Sequence, residues 1–344
     1  MSEAPTVTQE NANAEQPQGP RSFLVSSAPH LASGTSTRCI MFQVVLGLVP
    51  LWLAALYFYR LDALILPLVT VAACLIAEAV ANAMRGRDQR SLTDGSAIVT
   101  GLILAFSLPP DLNPYMAFIG GVVSIALAKA IFGGLGQNLF NPAMVGRAFL
   151  MICFPAAMGI WTEPVTLARI GDTAVDGVTM ATPLGAAMDP SVLIPSLWDL
   201  FCGRVGGSLG ETSALAVLIG GLFLVFRRVA DWRPVLGMLA TAFVYAAIAH
   251  RINPEFEGPM FHLFAGSMMF GAFFIATDYV GAPITPVGRI LFGIGVGGLV
   301  MTIRLFGAYP EGVMFAILIM NALTPLIERW TVPTPFGGHV AAAG

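Results

Sequence analysis

ALILPLVTVAACLIAEAVANAM, residues 63–84, decides the class of fold. The run is as long as the ~20 residues a helix needs to cross a bilayer, and only Glu78 brings a charge into it. IMFQVVLGLVPLWLAALY, residues 40–57, precedes it and is of the same kind. Composition agrees: charged residues are 11% of the chain and hydrophobic residues 56%, against roughly 25% charged in soluble domains. The predicted fold is all-α, a polytopic membrane protein of about ten transmembrane helices.

The apolar segments fall at 40–57, 63–84, 97–108, 115–132, 143–160, 212–226, 235–249, 260–277, 290–303 and 312–326. Several are too short to span unaided and carry Gly or Pro. That points to broken or re-entrant helices, tolerated where other protein or a cavity surrounds the exposed backbone. Residues 1–37 are polar and lack the basic-then-apolar start of a signal peptide, so they read as a flexible cytoplasmic tail. Residues 38–329 form the transmembrane domain, with an external loop at about 161–211, and residues 330–344 a second cytoplasmic tail. Sidedness follows from the basic residues. With the N-terminus inside and one crossing per segment, Lys129, Arg147 and Arg289 join the cytoplasmic majority, and Arg304 the external minority.

A faint repeat links NPAMVGR (141–147) with APITPVGR (282–289), each followed by an apolar helix. It reads as two related five-helix halves with a binding region at their interface, or as two Pro-rich helix starts alike by chance. A net charge of −3 with no basic stripe gives no support for nucleic acid as a partner. Cys39, Cys74, Cys153 and Cys202 show no CxxC spacing and read as small hydrophobes. His30, His250, His262 and His339 lack metal-ligand spacing. No metal site and no catalytic side chain is predicted. GIGVGG at 293–298 matches a dinucleotide fingerprint, but inside an apolar helix with no preceding strand it reads as close helix packing.

Carboxylates in apolar surroundings are costly and are functional candidates by default. Glu78 lies within the second segment; Asp94, Glu211 and Asp278 lie at segment ends, where capping explains them equally well. These four are the candidate ion-pathway residues, with Arg147 or Arg289 as candidate neutralising partners of Asp278.

One polar loop stands out: DGVTMATPL, residues 176–184. Pro183 keeps Thr182 extended and accessible, and the small Ala181 leaves room for approach to its hydroxyl. An ordinary Thr-rich loop, with Thr173, Thr179 and Thr182 close together, also fits. The glycine-rich GGLGQNLFNPA at 133–143 has two readings as well. Its amides and the side chains of Asn138 and Asn141 hold a flavin isoalloxazine, or its glycines permit tight helix packing.

These stretches, taken in order with GSLGETS (207–213), ATD (276–278) and PVGR (286–289), resemble the RnfD family, the membrane-embedded D components of the Rnf ion-translocating ferredoxin:NAD⁺ oxidoreductases. The resemblance covers roughly residues 36–329. It implies electron transfer coupled to translocation of Na⁺ or H⁺. It implies FMN esterified through its phosphate to Thr182 by a flavin transferase, within an acceptor motif that includes Asp176, Thr179 and Ala181. Met180 departs from the Gly of many such motifs. A second flavin, riboflavin, belongs to some members. The resemblance further implies the companion components RnfA, RnfB, RnfC, RnfE and RnfG, contact with membrane lipid, and residence in the bacterial inner membrane, with both termini cytoplasmic and the Thr182 loop periplasmic. Two alternatives stand beside it. The NqrB component of sodium-pumping NADH:quinone reductase is related but usually has a longer N-terminal region. A urea-channel-like solute transporter explains a duplicated bundle and leaves residues 176–184 without a purpose.

Overall fold

The computed structural model describes residues 36–86, 89–162, 164, 181–188, 193–307, 309 and 311–333. Both terminal tails lie outside that set, as do Asp176 and Thr179 of the polar loop.

Uninterrupted apolar runs become full-length helices and punctuated ones become partial helices. α1 (Thr37–Tyr59) and α2 (Asp62–Met84) are long enough to span a membrane. α3 (Ser96–Phe106) has 11 residues and is about 16 Å long at 1.5 Å per residue, half of the ~30 Å hydrocarbon core. α4 (Pro114–Ile125) continues through a π turn, Ala126–Ala130. α5 (Pro142–Cys153) and α6 (Pro155–Met158) form one segment broken at Phe154. The short α7 (Pro183–Met188) and α8 (Leu197–Cys202) precede the 13-residue α9 (Ala214–Phe226). α10 (Trp232–Ile252) is again full length. α11 (Pro259–Phe264), α12 (Met268–Phe270) and a π segment, Gly271–Ile275, make another broken element. α13 (Pro286–Phe306) and α14 (Val313–Thr331) complete the set of five long spans. In order, these are the ten predicted segments. The protein is an all-helical, multi-pass membrane protein.

The helix starts follow from local sequence. Asn113, Asn141 and Thr285 each cap a helix whose first residue is proline, and Ser213 and Asp231 cap α9 and α10. A polar cap satisfies one of the orphan amides, and a first-turn proline lacks the amide that would need satisfying. Outer faces carry exposed Leu53, Leu68, Ile76, Ile219, Leu236 and Ile319, the apolar girdle that lipid requires.

The two-halves expectation holds in the pattern of neighbours. α2 packs on α3 and α4, and α4 on α5; α10 packs on α11 and α13, and α13 on α14. The offset is five segments. Five is odd, so equivalent helices run in opposite directions, as in an inverted repeat. The NPAMVGR and APITPVGR stretches, however, open the fifth and ninth segments, which are not equivalent. Their likeness is that of two capped, proline-initiated helix starts. The GIGVGG reading is confirmed: a Cβ on Gly293 would lie 2.3 Å from the Pro234 carbonyl and one on Gly297 2.5 Å from that of Met238, so α13 and α10 touch backbone to backbone. Of the four cysteines only Cys74 is buried; Cys39 and Cys153 are exposed, which corrects the expectation for those two.

Candidate functional site

The broken helices leave polar groups inside the bundle, and these gather into three clusters.

The first surrounds Thr182. Leu184, two residues on, is buried in a small apolar cluster with Leu200, Val205, Phe261 and Ala265, which seats α7 beside α8 and α11. Thr182 is thereby fixed, half-buried, at a cavity of about 280 Å³ that Arg147, Glu211 and Glu311 also line. Its Oγ1 accepts a hydrogen bond from Gly185 N at 3.0 Å, which leaves its own O–H free. Ala181 is exposed beside it. Arg147 reaches Glu311 Oε2 at 2.8 Å and Glu211 Oε1 at 3.6 Å. Glu311 also accepts from the backbone N of Ser267 at 2.7 Å and from its hydroxyl.

Glu211 arrives there because the 207–213 loop docks against the end of α3. Gly210 N donates to Phe106 O at 2.7 Å, and a Cβ at Gly210 would meet the Phe106 backbone oxygen at 2.9 Å. The loop thus satisfies carbonyls that a half-length helix leaves bare. Glu211 lies in the α8–α9 connection and Glu311 in the α13–α14 connection, both outside the spanning helices. Burial, followed by the charge of Glu311, pushes Glu211 up to about 8, with Arg147 opposing. Burial also acts against Glu311, but Arg147 and the Ser267 hydrogen bonds outweigh it and hold that carboxyl below its usual range. At neutral pH the guanidinium is therefore matched by one carboxylate, Glu311, and the longer contact is to a protonated Glu211.

This corrects two expectations. Arg147 does not sit at the cytoplasmic end or neutralise Asp278; two turns into α5, it belongs with the Thr182 cavity. Nor does Glu211 cap α9, since Ser213 does so by accepting from Ala216 N. Glu311 was not foreseen. Its surroundings, Tyr309 to Gly312, read as an ordinary surface turn, and the available signal was Arg147 and Arg304 inside apolar helices, each needing a counter-charge.

The second cluster holds Asn141, Asp278 and Asn321. Asn141 Oδ1 caps α5, its Nδ2 donates to Asp278 Oδ2 at 3.2 Å, and its backbone N donates to Asn321 Oδ1 at 3.1 Å. Arg289, the other partner expected for Asp278, pairs instead with Asp231 at 2.5 Å. Asn138 is buried, and its Oδ1 has no hydrogen-bond partner. Asn138, Asn141 and Asp278 line a cavity of about 80 Å³, well under the ~300 Å³ at which small-molecule sites begin. As it stands it does not hold a flavin ring. Gly133, Gly134 and Gly136 have φ of 121°, 114° and 89°, conformations that L side chains rarely adopt. They form a turn, which replaces the helix-packing reading of that stretch.

The third cluster joins two predicted carboxylates. Glu78, 5% exposed, pairs with Lys129 at 2.8 Å. Lys129 also donates to Ser96 Oγ at 2.6 Å, and Ser96 Oγ donates to Asp94 Oδ1 at 2.5 Å. Asp94 additionally accepts from Ser96 N at 2.7 Å at the start of α3, so its capping role is present too. Lys129, expected at the cytoplasmic surface, is 3% exposed, because the π turn at the end of α4 rotates it inward.

Comparison with known proteins places this architecture. The model of the NQR2, RnfD, RnfE family matches residues 24–337. The chain is 40% identical over 325 residues to the D component of the proton-translocating ferredoxin:NAD(+) oxidoreductase complex of Clostridium ljungdahlii, covering 92% of this chain and 96% of that one. It is 42% identical over 328 residues to the D component of the ion-translocating oxidoreductase complex of Stutzerimonas stutzeri, covering 88% and 93%. It is 41% identical over 316 residues to the D component of the Na(+)-translocating ferredoxin:NAD(+) oxidoreductase complex of Acetobacterium woodii, covering 91% and 95%.

Proposed function

We propose a function on one premise: this chain belongs to the NQR2, RnfD, RnfE family. It is a membrane component of an ion-translocating oxidoreductase complex, in which electron transfer between ferredoxin and NAD⁺ drives Na⁺ or H⁺ across the membrane. The observation that carries this reading is similarity along nearly the whole chain to the D components of such complexes. Its partners are the other components of that complex. The channel alternative leaves that similarity unexplained. Relatives named for protons and for sodium are almost equally similar, so the ion has to be measured.

Thr182 is the residue through which the chain carries covalent FMN. Support comes from its free O–H at a 280 Å³ cavity and from the buried Arg147 in the lining, whose Nε has no hydrogen-bond partner. The flavin, when bound, supplies the redox chemistry. The protein's part is to hold the attachment point through Leu184, to set one positive charge beside it through Arg147, and to limit water. No step is assigned to a second flavin.

The chain sits in the inner membrane with both termini cytoplasmic and Thr182 outside. With Lys129, Arg147 and Arg304 recognised as interior, ten basic residues remain on the cytoplasmic side and four outside, so the bias that orients membrane proteins persists.

The test is fluorescence of the denatured polypeptide after gel electrophoresis, in a host that has the transferase. Wild type should fluoresce and Thr182→Ala should not, with the variant still inserted. A flavin adduct mapped by mass spectrometry to Thr173 or Thr179 would refute the assignment.

A further inference from the structure

The sequence contains a single lysine, and it is buried between two cavities. Lys129 lines the 80 Å³ chamber that ends at Asp278, together with Ser96. It also lines a separate cavity of about 240 Å³ with Glu78, Asn82 and Ser91, at whose rim the exposed Arg85 stands. The Lys129–Glu78 pair is the partition between them.

The ammonium is held by Glu78 Oε1 and Ser96 Oγ, and through Ser96 by Asp94. The cluster thus has two carboxylates and one cation. Glu78 Oε2, on a residue only 5% exposed, has no hydrogen-bond partner. A buried carboxylate oxygen left unsatisfied is costly, and hard cations take such oxygens as ligands. Lys129 rides on a single π turn, an element whose widened backbone recurs at functional sites.

We infer that Glu78, Ser96 and Asp94 present the oxygens of a monovalent-cation site in which the Lys129 ammonium takes the cation's place, so that an entering alkali cation and Lys129 compete for Glu78. A cation moving from the larger cavity to the inner chamber takes over the contacts of Lys129, which swings aside on its flexible stem. The purpose of the site rests on the ion-transport reading; its capacity to bind does not.

The test uses the purified complex and needs no electron transfer. Lys129→Met keeps length and removes charge. Ligands that bind the folded state raise its unfolding temperature. The Lys129→Met complex should therefore unfold at a higher temperature in NaCl or KCl than in choline chloride at equal ionic strength. Wild type should show a much smaller difference, and Lys129→Met/Glu78→Gln none. Equal unfolding of Lys129→Met in all three salts overturns the site. Should Lys129→Met fail to assemble in choline medium but assemble in sodium medium, the site stands, read as yield. Failure in every medium, with rescue by Lys129→Arg alone, makes the pair structural and overturns it. A wild-type complex that transfers electrons and moves no ion would refute the transport reading while leaving the salt result intact.

Discussion

Replacing Arg147 by Met tests the charge assignment of the Thr182 cavity. The substitution keeps most of the volume and removes the guanidinium from Glu311 at 2.8 Å and Glu211 at 3.6 Å. Side-chain exposure is 4% for Arg147, 4% for Glu211 and 14% for Glu311, so water replaces little of what is lost. Breaking a buried ion pair by removing one partner costs about 3–5 kcal/mol. Because Glu211 is pushed up to about 8 by burial, it is largely protonated at neutral pH, and the penalty falls on Glu311. Glu311→Gln should therefore recover most of the loss when combined with Arg147→Met, whereas Glu211→Gln should recover little. The assay is thermal unfolding of the detergent-solubilised complex, arranged as a double-mutant cycle for each pair. Contacting residues couple by about 0.5–3 kcal/mol. Additivity for Arg147 with Glu311, or stronger coupling to Glu211 than to Glu311, would refute the reasoning.

Three further outcomes are expected. Burial raises Glu211 from 4.5 to about 8. A group bound more tightly to its proton in the folded state stabilises fully below the unfolded value and loses that contribution as pH rises. Apparent stability should decline between those two values and level off above, and Glu211→Gln should flatten the slope; an unchanged slope counts against it. Glu78→Gln should lower the ions moved per electron in reconstituted complex with flavin content unchanged, and wild-type coupling would leave Glu78 a structural residue. A cysteine at Asp172, with the native cysteines replaced, should react with an impermeant thiol reagent in spheroplasts; labelling confined to inverted vesicles would reverse the proposed topology.

How much of this was legible varied with the range of the interaction. The ten segments were readable because crossing a bilayer requires continuous apolar sequence, a local property. So were the breaks: Pro155 after Phe154 and the Gly-Ser-Met run before α12 interrupt apolar sequence visibly. Candidate residues were readable as exceptions, since a charge inside an apolar run has a cost that invites a reason. Their partners were not. Glu78 and Lys129 lie 51 positions apart and Arg147 and Glu311 164, and nothing in either local window announces the other. The π turn that rotates Lys129 inward leaves no composition signal, which is why that lysine was assigned to a surface.

Local sequence was enough to establish a helical membrane protein, the places where its helices begin, and the side chains that are out of place in lipid. Apolar length, proline and capping residues act within a few positions of themselves, so a linear reading suffices. How the charges are matched came from the packed bundle: Glu311 with Arg147 beside Thr182, Asp94 with Glu78 through Ser96 and Lys129, Asp278 with Asn141 in place of an arginine. A buried charge is stabilised by whatever the fold brings to within hydrogen-bonding distance, and that is set by packing between segments remote in sequence.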